Sequence, residues 1–247
     1  MSGHSKWATI KHKKAALDAK RGTSFTRIIK EIAIAARNGG DPDMNPRLRT
    51  AVLAAKAASM PADNIKRAIQ RGTGELGGGQ IDEITFEGYG PGGAGILVNV
   101  ATDNRNRTVS EIRHIFSKYG GKLAEHGSVS RMFERRSQVL IEMGKIGEDD
   151  LMAIVLDAGA DDIRNDSGNW EVLSAPEAHN ALVEALHKAK IETISAEVAM
   201  LPMTTVRLEG RNAQSMLKMS ELFEDHDDVQ SVYSNFDMDE KEMEELA

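Results

Sequence analysis

Apolar positions recur with helical spacing through the first 71 residues and with an alternating period after residue 80. Residues 1–22 form a basic arm that turns helical from about Ile10, with Gly22 interrupting it. Ser24 reads as the N-cap of a helix over Phe25–Arg37, which places Phe25, Ile28, Ile29, Ile32 and Ala36 on one face. Gly39 and Gly40 end it as left-handed caps do. Asn45 followed by Pro46 opens an Ala-rich helix to about Ala58, and Met60-Pro61 starts a third helix that ends at Arg71. The stretch 72–79, GTGELGGG, has the composition of a flexible linker.

Strands follow at 81–87 and 95–101, joined by the turn-rich GYGPGG. Thr108-x-x-Glu111 reads as a capping box for a helix with Val109, Ile112, Ile115, Phe116 and Tyr119 on its apolar face. A strand is expected over 128–133. Residues 138–200 then spell strand, helix, strand, strand, helix, strand, the split βαβ order. A strand (204–208), a helix (212–223) and a strand (229–233) close the pattern. The expected fold is α+β and multi-domain. An N-terminal three-helix bundle with its linker covers 1–78. Two ferredoxin-like α/β domains follow, with 135–201 inserted into one made of 79–134 and 202–237. Residues 238–247 read as an acidic, solvated tail.

Charge changes the picture more than composition does. The chain of 247 residues carries a net charge of −7, but residues 1–75 hold 15 basic and 6 acidic residues, a net of +9, leaving −16 on the remainder. Such asymmetry marks a basic part that meets a polyanion. Within residues 1–40 the basic residues number nine and the acidic two, so i,i+4 pairs cannot neutralise that face. The expected phosphate contacts are Lys6, Lys11, Lys13, Lys14, Lys20, Arg21, Arg27 and Lys30, joined by Arg105 and Arg107 from TDNRNR, between a strand end and a helix start. Trp7 either stacks on a base or packs on the bundle. A third-helix set of Asn64, Lys66, Arg67, Gln70 and Arg71 carries types that reach bases and phosphates, or is only the back of the bundle.

Other chemistries find no support. Cysteine is absent, which excludes disulfides and thiolate metal sites. The seven histidines show no zinc spacing and no GxSxG occurs, so neither a metal, a cofactor nor catalytic residues are expected. Gly88–Gly93 matches GxGxxG as a string, but a strand follows it, not a helix, and Pro91 removes a donor. No stretch resembles a secretory signal or approaches a membrane span, and a cytoplasmic protein is expected.

Four segments, GHSKWATIKHKKAALDAKRG, FEGYGPGGAGILV, TDNRNRT and EIRHIFSKYGGKL, resemble the YebC/PmpR family, and the likeness runs over nearly the whole chain. The resemblance implies a helical domain followed by two α/β domains, one inserted in the other, with no cofactor and no catalytic residue. It implies a DNA-binding transcriptional regulator. The alternative it leaves open is a ribosome-associated translation factor that binds rRNA or tRNA, as the mitochondrial translational activator of cytochrome oxidase subunit I in that family suggests. Under either, the partner is nucleic acid, without membrane or small-molecule substrate.

Overall fold

The computed structural model describes residues 21–77, 79–166, 168–239 and 241–243, with the side chains of 21–24 and 166 left aside. The predicted arm helix, Trp7 and the candidates Lys6, Lys11, Lys13, Lys14 and Lys20 lie outside the described residues, as does the side chain of Arg21.

Three helices come first: α1 (Arg21–Ala35), α2 (Pro46–Ala57) and α3 (Ala62–Gly72). The expected start of α1 is corrected. Gly22 and Ser24 have helical backbone, so Ser24 is not its N-cap. Propensity and cap signals are weak beside packing, and α1 is packed on two sides. Ile32, Ala35 and Ala36 join Leu48, Ala51, Ala55, Ile65 and Ala68 in the bundle core, while Ala33 and Ile34 press on Ile81 and Ala101. Asn45 does cap α2: its side-chain oxygen accepts from the Leu48 N–H at 3.1 Å. Its amide donates to Ala35 and Gly39 carbonyls, which fixes the turn between α1 and α2. Gly72 belongs to the packed crossing of α1 and α3 and not to a loose linker, because a Cβ there would stand 2.2 Å from the Ala33 carbonyl oxygen.

The first sheet is antiparallel, in the order β3-β1-β2-β9, with β1 at Asp82–Tyr89, β2 at Gly95–Thr102, β3 at Lys122–Leu123 and β9 at Val229–Ser234. The GYGPGG loop is the β1–β2 hairpin turn, with Gly92 and Gly93 at φ 68° and 82°. Helices α4 (Arg105–Lys118) and α7 (Gly210–Asp225) cover one face, and Phe116 meets Phe223 at 5.1 Å between ring centroids. The strand order is that of a ferredoxin-like sheet, but β1 enters from the N-terminal side to fill the place of the third strand.

The second sheet, in the order β5-β6-β4-β7, is built from β4 (Phe133–Glu142), α5 (Glu148–Val155), β5 (Ala160–Asp166), β6 (Asn169–Ser174), α6 (His179–Lys188) and β7 (Ser195–Pro202). All its neighbours are antiparallel, the ferredoxin-like arrangement. It interrupts the first unit between β3 and the short strand β8 (Val206–Arg207), which pairs with β10 (Phe236–Asp237). The strand expected over 128–133 is instead a loop and a 3-10 turn at Ser130–Met132, and β4 starts at Phe133. The described part of the expected tail is packed: Met238 and Met243 are buried in the first core, and Glu242 accepts from the Gly210 N–H at 2.8 Å. Two methionines among acidic residues were enough to anchor it.

A buried carboxylate joins the bundle to the first sheet. Asp228, at the start of β9, is 3% exposed. Its Oδ1 takes Lys30 Nζ of α1 at 2.5 Å, and its Oδ2 takes Arg107 Nη2 at 2.9 Å and the Thr108 hydroxyl at 2.6 Å. Lys30 also donates to the Asp227 carbonyl, Arg27 to the Glu224 carbonyl and Arg37 to the Ile81 carbonyl. Burial pushes the Asp228 carboxyl up, but the hydrogen bonds from Lys30, Thr108 and Arg107 outweigh it and hold the group far below the usual carboxylate range.

Three outcomes are expected. Gly72→Ala places a methyl against a backbone oxygen, and denaturant unfolding followed by circular dichroism should show a loss of about 1–3 kcal/mol in the bundle. Asp228→Ala strands Lys30 and should cost about 3–5 kcal/mol. A carboxyl with a depressed folded pKa stabilises above its unfolded value of about 3.9 and loses that contribution as pH falls through the folded value. Urea midpoints of the chain and of Asp228→Asn should therefore stay equally far apart from pH 7 to pH 5. They should converge only in strong acid.

Candidate nucleic-acid interface

The segment TDNRNR forms the entry to α4, and its chemistry is local. Asn104, not Thr108, is the N-cap: its side chain accepts from the Arg107 N–H at 3.1 Å, so the helix starts one turn before the expected capping box. Thr108 is fully buried instead, and its hydroxyl sits 2.7 Å from that of Thr102. Asp103 lies beside two arginines, with Oδ1 at 3.3 Å from Arg107 and Oδ2 at 3.7 Å from Arg71 of α3.

The described candidates thus divide. Lys30 and Arg107 share the buried Asp228, and half-buried Arg27 reaches the α7 end, where Glu224, Asp225 and Asp227 surround it. Burial lowers the Arg27 guanidinium pKa despite those carboxylates. Arg27 and Lys30 of α1 hold the bundle against the first sheet, and Arg107 of α4 completes the Asp228 pairing from within the sheet's own unit. Arg105 is exposed and has no hydrogen bond or ion pair among the described residues. Arg47 is another cation with internal partners: it holds Glu31 through two nitrogens, at 2.8 and 3.1 Å, and Glu83 at 2.7 Å, and these hydrogen bonds raise its pKa.

Asp228 is absent from the residues that the sequence singled out. No local signal marks it, because Lys30 lies 198 residues away. Glu87 escaped notice altogether. Buried on β1, its carboxylate accepts from the N–H groups of Gly127, Val129 and Ser130 at 2.8, 2.7 and 2.9 Å, fixing the loop that leads into β4. Burial pushes Glu87 up, and those backbone hydrogen bonds override it to leave the pKa lowered.

Two other clusters invite a chemical reading. Glu111, His226 and Asp228 bring ligand atoms within 4.8 Å of one another. The His226 Nδ1 accepts from the Asp228 N–H at 3.1 Å, so its Nε2 carries the proton that faces Glu111 at 3.0 Å. Both Asp228 oxygens are already held by cations, so the trio is an ion-pair network. Ser137 Oγ stands 2.9 Å from His179 Nδ1, as in a nucleophile–base pair, but Ser137 is fully buried.

A groove of about 450 Å³ opens beside the bundle, lined by Ile29 of α1, by Asn64, Arg67, Ala68 and Arg71 of α3, and by Leu76 and Gly77. It lies next to the Asp103 bridge, through Arg71.

Comparison with known proteins places the whole chain. Residues 5–75 match the model described as the TACO1/YebC protein N-terminal domain, and residues 81–236 match that of the TACO1/YebC second and third domain. A protein of Solibacter usitatus named "Probable transcriptional regulatory protein" is 68% identical over all of both chains. One of the same name from Acidobacterium capsulatum is 61% identical over 98% of each. The crystal structure of the conserved hypothetical protein Aq1575 from Aquifex aeolicus, 41% identical, superposes with a TM-score of 0.82 over 93% of this chain and 96% of that one. With two family models spanning its three structural units and relatives matched end to end, the chain belongs to the TACO1/YebC family.

Proposed function

We propose that the chain is a non-enzymatic regulator that acts by binding nucleic acid, with duplex DNA at promoters as its target and the cytoplasm as its place of work. The observation that carries this reading is the net charge of +9 on residues 1–75 against −16 on the rest. Arg27 and Lys30 answer part of that excess internally. The phosphate contacts are therefore Lys6, Lys11, Lys13, Lys14, Lys20 and Arg21 of the arm, together with the exposed Arg105. The acidic remainder opposes the approach of phosphates elsewhere on the surface. The names of the relatives support a role in transcription. No helix among the described residues is long and apolar enough to cross a membrane.

One observation favours a second reading, an RNA-binding factor of the translation apparatus. The helix that would have to enter a major groove, α3, has its C-terminal end engaged, with Gly72 packed against Ala33. Readout of shape and of unpaired nucleotides suits such a helix better than readout of base edges in a duplex.

Binding measured across salt concentrations tests the common core. About six phosphate contacts give a slope near −5 in log K against log salt on duplex DNA. Lys11→Glu, Lys13→Glu and Lys14→Glu together should weaken binding at least tenfold and flatten the slope by about 3, with the thermal midpoint unchanged. Unchanged affinity would remove the arm from the interface. Footprinting then separates the two readings: a preference of about 10³ for a promoter over random duplex is expected of the first. Cosedimentation with ribosomes at low salt is expected of the second.

A further inference from the structure

Cations around the junction of bundle and sheet mostly have partners, and among the described residues Arg67 has none. It is exposed on α3 and makes no hydrogen bond or ion pair among the described residues. Asn64, Arg67, Ala68 and Arg71 follow one another at i, i+3, i+4 and i+7, which aligns them on one face of α3. All four line the 450 Å³ groove. Its other walls are apolar: Ile29, and a Leu76 side chain left 54% exposed. The Arg71 contact with Asp103 is long, at 3.7 Å, and both groups face solvent, so a stronger anion can displace it.

A concave site with apolar walls, one amide and two guanidiniums fits a ligand that is flat and apolar on its faces, polar at its edge and anionic at both ends. We propose that this groove is a subsite for one unpaired nucleotide of an RNA strand. The base lies among Ile29, Ala68 and Leu76, Asn64 hydrogen-bonds its edge, and Arg67 and Arg71 hold the phosphates on either side. The two arginines stand one helical turn apart, about 6 Å along α3. A strand laid along the helix presents successive phosphates to them. A paired duplex offers no base to the groove without the cost of unstacking, about a few kcal/mol, whereas RNA loops and bulges offer bases already splayed out. Arg105, two residues beyond Asp103, is a further exposed cation. The proposal rests on the nucleic-acid reading above, in its RNA form, and gives that form a place to bind.

The test uses the full chain and two fluorescent RNA probes of equal length, a hairpin with an unpaired loop and a fully paired duplex, with a DNA hairpin of matching sequence as a third arm. The chain should prefer the looped RNA to the duplex by about tenfold. Leu76→Glu, at an exposed position, should abolish that preference while leaving duplex binding intact. Arg67→Ala should flatten the salt slope on looped RNA by about 0.7, the value of one contact to a single strand. A loop preference and slope unaltered in both variants, while the arm variant still loses binding, would overturn the subsite and leave the general function standing. A chain that binds none of the probes would overturn both. Equal preference for the DNA hairpin would overturn the assignment to RNA. A concentration-dependent dimer in sedimentation that Leu76→Glu dissolves would give the groove to a second copy of the chain and overturn the subsite.

Discussion

One carboxylate fixes the relation between the basic end of this molecule and its acidic body. Asp228 is almost without solvent contact, and a lone charge in that position would be strongly unfavourable. Two cations and a hydroxyl, brought from α1 and from the first turn of α4, satisfy both oxygens. Removing any one of them leaves the others wrongly paired. The arrangement therefore specifies one docking of the bundle, which apolar contacts such as Ala33 on Ala101 would permit in several registers.

The same interaction divides the cations by task. In the sequence, the basic residues of α1 and of the α4 entry look like a continuation of the arm, because charge alone does not show which way a side chain faces. Folding turns Arg27 and Lys30 inward, pairs the exposed Arg107 with Asp228, and leaves Arg67 and Arg105 outward. A polyanion thus meets a smaller and more ordered set of positive groups than the composition suggests. The order comes from attachments on the opposite sides of the same helices.

Much of the architecture was legible because it is written in local signals. Asn45-Pro46 is a cap and a first-turn proline wherever it falls, and the βαββαβ order follows from alternation and turns alone. The misread places share a cause. Thr108 fits a capping box, but its hydroxyl is drawn to Asp228, 120 residues away, while Asn104 takes the cap. Ser24 looks like a helix start, but α1 is stabilised by burial on two sides. Met238 and Met243 sit in a run of acids whose charge hid the two apolar anchors. The candidate site follows the same rule. Its residue types were visible along α3, but the groove needs Ile29 and Leu76 from either side, and no periodicity joins them.

The inserted unit is entered and left by neighbouring strands, with Phe133 paired to Pro202 at the base of β4 and β7. Seen from the first sheet, the whole inserted unit from Phe133 to Pro202 amounts to a zipped stem of two strands. Such a stem imposes almost no loop-closure penalty on its host, whatever the size of what it carries. What couples host and passenger at that point is packing: Phe133 and Met200 of the stem share a small apolar cluster with Leu97 and Tyr233 of the first sheet.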